Sequence, residues 1–122
     1  MKDLLKLEEA AMFGLCIFIL ISLKVHWWTY LLLAIGPDVS MIGYFLGNRF
    51  GATCYNFFHH KGIALIIFGI GVALNSPAGD LVSIAGIILF GHSSMDRMFG
   101  YGLKLNEGFK YTHLGIIGKK LN

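Results

Sequence analysis

Apolar residues fall into four long blocks, each closed by charged or turn-forming residues. The first, Ala10 to Leu23, lies between Glu9 and Lys24 and alone is short of the ~20 residues that cross a bilayer. Extended back through Leu4-Leu5, it predicts a helix over about 5–23. Glu8 and Glu9 then sit in its first turns, where acidic groups suit the helix dipole. Lys24-Val25-His26-Trp27-Trp28 reads as an interfacial turn, because paired tryptophans beside a cation mark an aromatic belt. The second block predicts a helix over 27–47. Asn48-Arg49-Phe50-Gly51 is a tight loop, and the third block predicts a helix over 52–74. Lys61 inside that block implies an interfacial lower part, with the lipid-crossing portion starting at Gly62. Asn75-Ser76-Pro77-Ala78-Gly79-Asp80 is rich in breakers. The fourth helix is expected over 81–99. The remainder, 100–122, is too polar to span, and Phe109, Tyr111 and His113 are positioned to fold it over the helix ends. The pattern predicts an all-α, integral membrane four-helix bundle in one domain, with the second helix broken at Pro37.

Composition agrees with a lipid environment. Of 122 residues, 56% are hydrophobic and 14% charged, against about 45–50% and about 25% in soluble domains. Mean hydropathy is +0.67. The net charge of +3 is scattered. It offers no basic patch for nucleic acid and only a weak attraction to anionic headgroups. Cys16 and Cys54 lie in apolar segments with no CxxC pairing and read as packing thiols. The first residues are not a clean basic leader, so no cleaved signal peptide is expected. With four spans, both termini share a side with Lys2, Lys6, Arg49, Lys61, Lys104, Lys110, Lys119 and Lys120. The other side has Lys24 alone. Eight cations against one place the termini in the cytoplasm, in an inner (cytoplasmic) membrane. Gly69 and Gly71, with Gly86 and Gly91, offer small-residue contacts between helices.

Ionisable groups at bilayer depth are costly, so they mark candidate sites. His92 and Asp96, four apart, share a helical face. Pro37 removes a backbone donor and disfavours helix at Gly36, and Asp38 follows at once, about nine residues or ~14 Å from the helix end. Two adjacent histidines cannot point the same way, so only one of His59 and His60 faces inward. At ~1.5 Å per residue, Asp38, His59, His92 and Asp96 reach one level in the cytoplasmic half of the bilayer, with Glu8 approaching it. Two imidazoles with carboxylates suit Zn, Mn or Fe better than Mg or Ca. A catalytic ion would activate water, with Glu8 as base or extra ligand, Arg97 as anion stabiliser and His113 closing the site from the tail. Tyr44, Tyr55 and Asn56 are candidate supporting donors. The alternative for each residue is structural: Asp38 caps a restarting helix, His92 and Asp96 satisfy one another, and Asp96-Arg97 anchors at the interface.

Gly-Pro-Asp-Val-Ser-Met-Ile-Gly-Tyr at 36–44, Gly-Ala then Tyr-Asn at 51–56, His59, the His92–Lys104 block and Gly-Phe-Lys-Tyr-Thr-His-Leu-Gly at 108–115 resemble the integral-membrane family of domain of unknown function 4260. Lys6-Leu7-Glu8 resembles its start. The resemblance implies a four-helix membrane protein and no activity. A weaker likeness, carried by Pro37-Asp38, His59 and His92/Asp96, is to the membrane-bound metal-dependent hydrolases.

The leading expectation is therefore a metal-dependent hydrolase acting on a lipid or lipid-linked phosphate or ester at the cytoplasmic leaflet. A small oligomeric transporter or channel using the same groups is the second, since a broken helix also suits transport. A non-catalytic membrane subunit is the third.

Overall fold

The computed structural model describes residues 1–105 and 108–117. It is mostly helical: α1 Lys2–Ser22, α2 Trp27–Ile35, a 3-10 segment Gly36–Leu46, α3 Asn48–His59, α4 Lys61–Leu74 and α5 Pro77–Met98. A small antiparallel pair, β1 Tyr111–Thr112 and β2 Gly115–Ile116, lies in the tail, and Lys104 bridges to Thr112. Lys119 and Lys120 lie outside the described residues.

Trp27–Leu46 and α5 are each long and apolar enough to cross a membrane. At 22 residues, α5 extends about 33 Å, enough for a ~30 Å hydrocarbon layer. α3 and α4 together qualify as a third span, bent by 50°. α1 has the length of a span, but Lys2, Asp3, Lys6, Glu8 and Glu9 crowd its first turns, and it is not among these candidates.

Two expectations need correction. Asn48-Arg49-Phe50-Gly51, expected as a tight loop, forms the first turn of α3. The helix expected over 52–74 is interrupted at His60, whose backbone is extended (φ −91°, ψ 120°) and whose Nδ1 accepts the N–H groups of Gly62 and Ile63. His60 thus caps α4, satisfying donors that a fresh helix start leaves orphaned. The same break turns His59 inward and leaves His60 exposed. The break expected at Pro37 is where the α-helix ends, at Ile35, and eleven residues of 3-10 helix follow. Runs beyond about four residues in this winding are uncommon and mark strain or function.

The core lies where α1, α2 and α5 meet, around Cys16, Leu20, Leu33 and Ile87. α4 packs along α5, and α3 packs on the 3-10 segment. A Cβ on Gly86 would stand 2.6 Å from the backbone nitrogen of Phe68, so this close approach of α4 to α5 requires glycine. Gly69, expected to share that role, meets nothing nearby. Large apolar side chains stay exposed along the outside, Phe18, Ile42, Ile66, Ile70 and Leu81 among them, as a lipid-facing surface requires.

Candidate metal centre

Four ionisable side chains from three segments converge. Asp38 comes from the first turn of the 3-10 segment, His59 from the last residue of α3, and His92 and Asp96 from successive turns of α5. Each offers a ligand atom, and all four atoms lie within 4.8 Å of one another. His59 Nε2 stands 3.3 Å from Asp38 Oδ1 and 3.3 Å from Asp96 Oδ2. His92 Nε2 stands 3.0 Å and 3.4 Å from the same two oxygens. His92 is fully buried and His59 nearly so, while the side chain of Asp38 is 34% exposed.

The other ring nitrogens fix the chemistry. His59 Nδ1–H donates to the Tyr55 carbonyl at 2.8 Å, and His92 Nδ1–H donates to the Leu33 carbonyl at 2.8 Å. A carbonyl only accepts, so both protons sit on Nδ1. In the neutral rings both Nε2 lone pairs therefore aim at carboxylate oxygens, which also only accept. Facing acceptors call for a positive charge between them. Anchoring one ring nitrogen on a backbone carbonyl is also how metal-ligating histidines are oriented. A tetrahedral shell with bonds of about 2.0–2.1 Å has edges of about 3.3 Å, close to the four nitrogen–oxygen separations here. The donor set fits a divalent ion: two carboxylates balance its charge, and the cluster could hold one.

Neighbouring groups stiffen the cluster. Tyr55 stacks on His59 (centroids 3.8 Å, 7° between planes), and its hydroxyl donates to Asp96 Oδ2 at 3.2 Å. Ser93 Oγ donates to the His59 carbonyl at 2.7 Å, tying the end of α3 to α5. The tail then covers this side. Asn56 grips the backbone of Lys104 twice, its Nδ2 donating to the carbonyl (2.7 Å) and its Oδ1 accepting from the amide (2.5 Å). Lys104 Nζ lies 4.7 Å from the Tyr55 ring and 3.9 Å from the Phe109 ring. Burial pushes the Lys104 ammonium pKa down, while Asp96 and Asp38 pull it back up.

The supporting residues divide. Tyr55 serves the cluster directly, whereas Asn56 holds the tail. Tyr44 packs edge-on against Phe109, and its buried hydroxyl has no hydrogen-bond partner among the described residues. Arg97 and Tyr101 line both a narrow crevice shared with His59 and Asp96 and a cavity of about 580 Å³ that also includes His113. Glu8 does not reach this region: it is exposed on α1. Glu9, one residue on, lines the cavity and pairs with Lys61. Lys104 is the site neighbour that the sequence reading misses, since there it counts only among the cytoplasmic-side cations. Its place at the end of the His92–Lys104 block is the available signal.

The model of a protein family described as domain of unknown function (DUF4260) matches residues 2–117, and so includes all four cluster residues and the folded tail. The chain belongs to that family. No curated protein and no solved structure matches it.

Proposed function

We propose that this protein is a membrane-embedded, metal-dependent hydrolase acting on a lipid or lipid-linked phosphate or ester at the cytoplasmic leaflet. Asp38, His59, His92 and Asp96 hold its ion. The observation that carries this reading is the pair of carbonyl-anchored imidazoles whose Nε2 lone pairs converge on two carboxylate oxygens. Mixed nitrogen and oxygen donors favour Zn, Mn or Fe. Held by these four side chains, such an ion would supply a hydroxide nucleophile at neutral pH. Around it, Tyr55 fixes the Asp96 carboxylate and leaves Asp38, the most exposed member, as the side open to water. Hydrolysis splits one phosphorus–oxygen or acyl carbon–oxygen bond, with water adding its hydroxyl to one fragment and its proton to the other. Arg97, in the crevice beside Asp96, stabilises the oxyanion, and His113 closes the cavity from the tail.

The same reading has α1 cross the bilayer as a fourth span. Its exposed Leu15, Phe18 and Ile21 face lipid while it packs along α5. Both termini are then cytoplasmic in the inner membrane. Lys61 and Lys104 prove to be half-buried and buried, so they drop out of the charge comparison. Exposed Lys2, Lys6, Arg49 and Lys110 still outnumber Lys24. The test is release of product from lipid phosphates and esters by purified protein. Asp38→Asn and chelation are expected to abolish turnover, and undiminished turnover in both would remove the proposal.

A further inference from the structure

The cavity of about 580 Å³ falls in the size range of small-molecule sites. It forms where the first turns of α1, the end of α5 and the tail hairpin meet. Lys2, Lys6 and Glu9 share one face of α1 by their spacing and line it together. Arg97 enters from α5 and His113 from the tail. Glu9 pairs with Lys61, which leaves Lys2, Lys6 and Arg97 as three cations without an ion-pair partner among the described residues. His113 Nδ1 accepts the Leu103 amide at 2.8 Å, so in the neutral ring Nε2 carries the proton and is a donor. Burial and the nearby Arg97 lower the pKa of His113 and favour that neutral ring. Beside Tyr101, the rest of the wall is mostly apolar: Leu5, Phe99, Leu114, Ile116 and Ile117.

Three cations and a neutral donor match a dianion better than a monoanion. A phosphomonoester carries about −1.5 to −2 charges near pH 7. An apolar wall beside that charge suits acyl chains, which inorganic phosphate lacks. We infer that this cavity binds a phosphomonoester-bearing lipid, its phosphate held by Lys2, Lys6, Arg97 and His113. As a binding site it stands on the cavity alone. As the substrate site it rests on the hydrolase reading, since Arg97 and Tyr101 line the boundary between cavity and cluster.

The experiment is native mass spectrometry of the detergent-solubilised full chain with dioleoyl phosphatidic acid, dioleoyl phosphatidylcholine or inorganic phosphate. Phosphatidic acid is expected to bind at least tenfold more tightly than phosphatidylcholine, and equimolar inorganic phosphate is expected not to displace it. Each lysine near the membrane surface is worth about fivefold in anionic-lipid affinity, so the exposed pair in Lys2→Gln/Lys6→Gln is expected to cost about 30-fold. Equal binding of the two lipids, displacement by inorganic phosphate, or an unchanged double variant overturns the inference. Phosphatidic acid bound selectively by a chain that carries no metal supports this site and removes the hydrolase reading, so the two fail separately.

Discussion

Replacing Asn56 by Leu keeps the side chain's bulk but deletes both hydrogen bonds to the backbone of Lys104, at 2.7 and 2.5 Å. Each such bond contributes about 0.5–1.5 kcal/mol net, so the pair accounts for about 1–3 kcal/mol of tail docking. That range lowers the ratio of docked to undocked tail by about 5- to 150-fold. The readout is acylation of Lys104, whose side chain is buried against Tyr55 and Phe109 when the tail is docked. Its labelling rate in Asn56→Leu is expected to rise by the same factor. The tail amides of Leu105 and His113, which donate to Tyr111 and Leu103 carbonyls, are expected to exchange hydrogen faster in parallel. Lysines already exposed, such as Lys24, serve as the internal reference. An unchanged Lys104 rate would mean that aromatic packing of Phe109 holds the tail and that the Asn56 clamp contributes nothing.

Acid should loosen the same tail. Burial holds the folded-state pKa of His113 below its ordinary value of 6.5, so the unfolded tail binds the extra proton more readily. Docking stability is then fully present above pH 6.5 and declines as pH falls from there toward the lowered pKa. Intrinsic-rate-corrected exchange of the Leu103 amide, measured at pH 7.5 and 5.5, checks this, and His113→Gln is expected to flatten the difference. Gly86→Ala drives a methyl into the α4 backbone at Phe68 and is expected to lower stability by about 1–3 kcal/mol, read from the unfolding midpoint in detergent. His60→Ala removes a cap worth about 1 kcal/mol and is expected to leave metal content unchanged, whereas His59→Ala is expected to lower it; metal analysis of the pair separates these adjacent residues.

Polar groups set within apolar helical blocks were the legible part. The four-residue spacing of His92 and Asp96 fixes a shared face whatever the helix packs against, and Asp38 follows a proline that disturbs any helix. One of two adjacent histidines had to point inward, and spacing alone does not choose between them. The choice came from His60, whose ring caps α4. The cue beside that break is Gly62, where a Cβ would stand 2.8 Å from the His60 ring, but a lone glycine in an apolar block does not by itself end a helix. Lys104 counts in the sequence only as a cytoplasmic-side cation, whereas Lys61, read as interfacial, pairs with an acid, Glu9. A long ammonium side chain is placed by partners far away in sequence, here the Tyr55 ring for Lys104 and the Glu9 carboxylate for Lys61. Glu8 and Glu9 differ by about 100° around α1, and the rotation that turns Glu9 inward is set by packing of α1 on α5.

Metal quantitation on purified wild type beside His92→Ala tests the central claim most directly. The account predicts about one equivalent of a divalent transition metal per wild-type chain, retained through dialysis, and a loss to background in the variant. Wild-type protein that stays metal-free after growth and dialysis with Zn, Mn and Fe supplied would contradict it. The four side chains would then be an ion-paired quartet held together by protons.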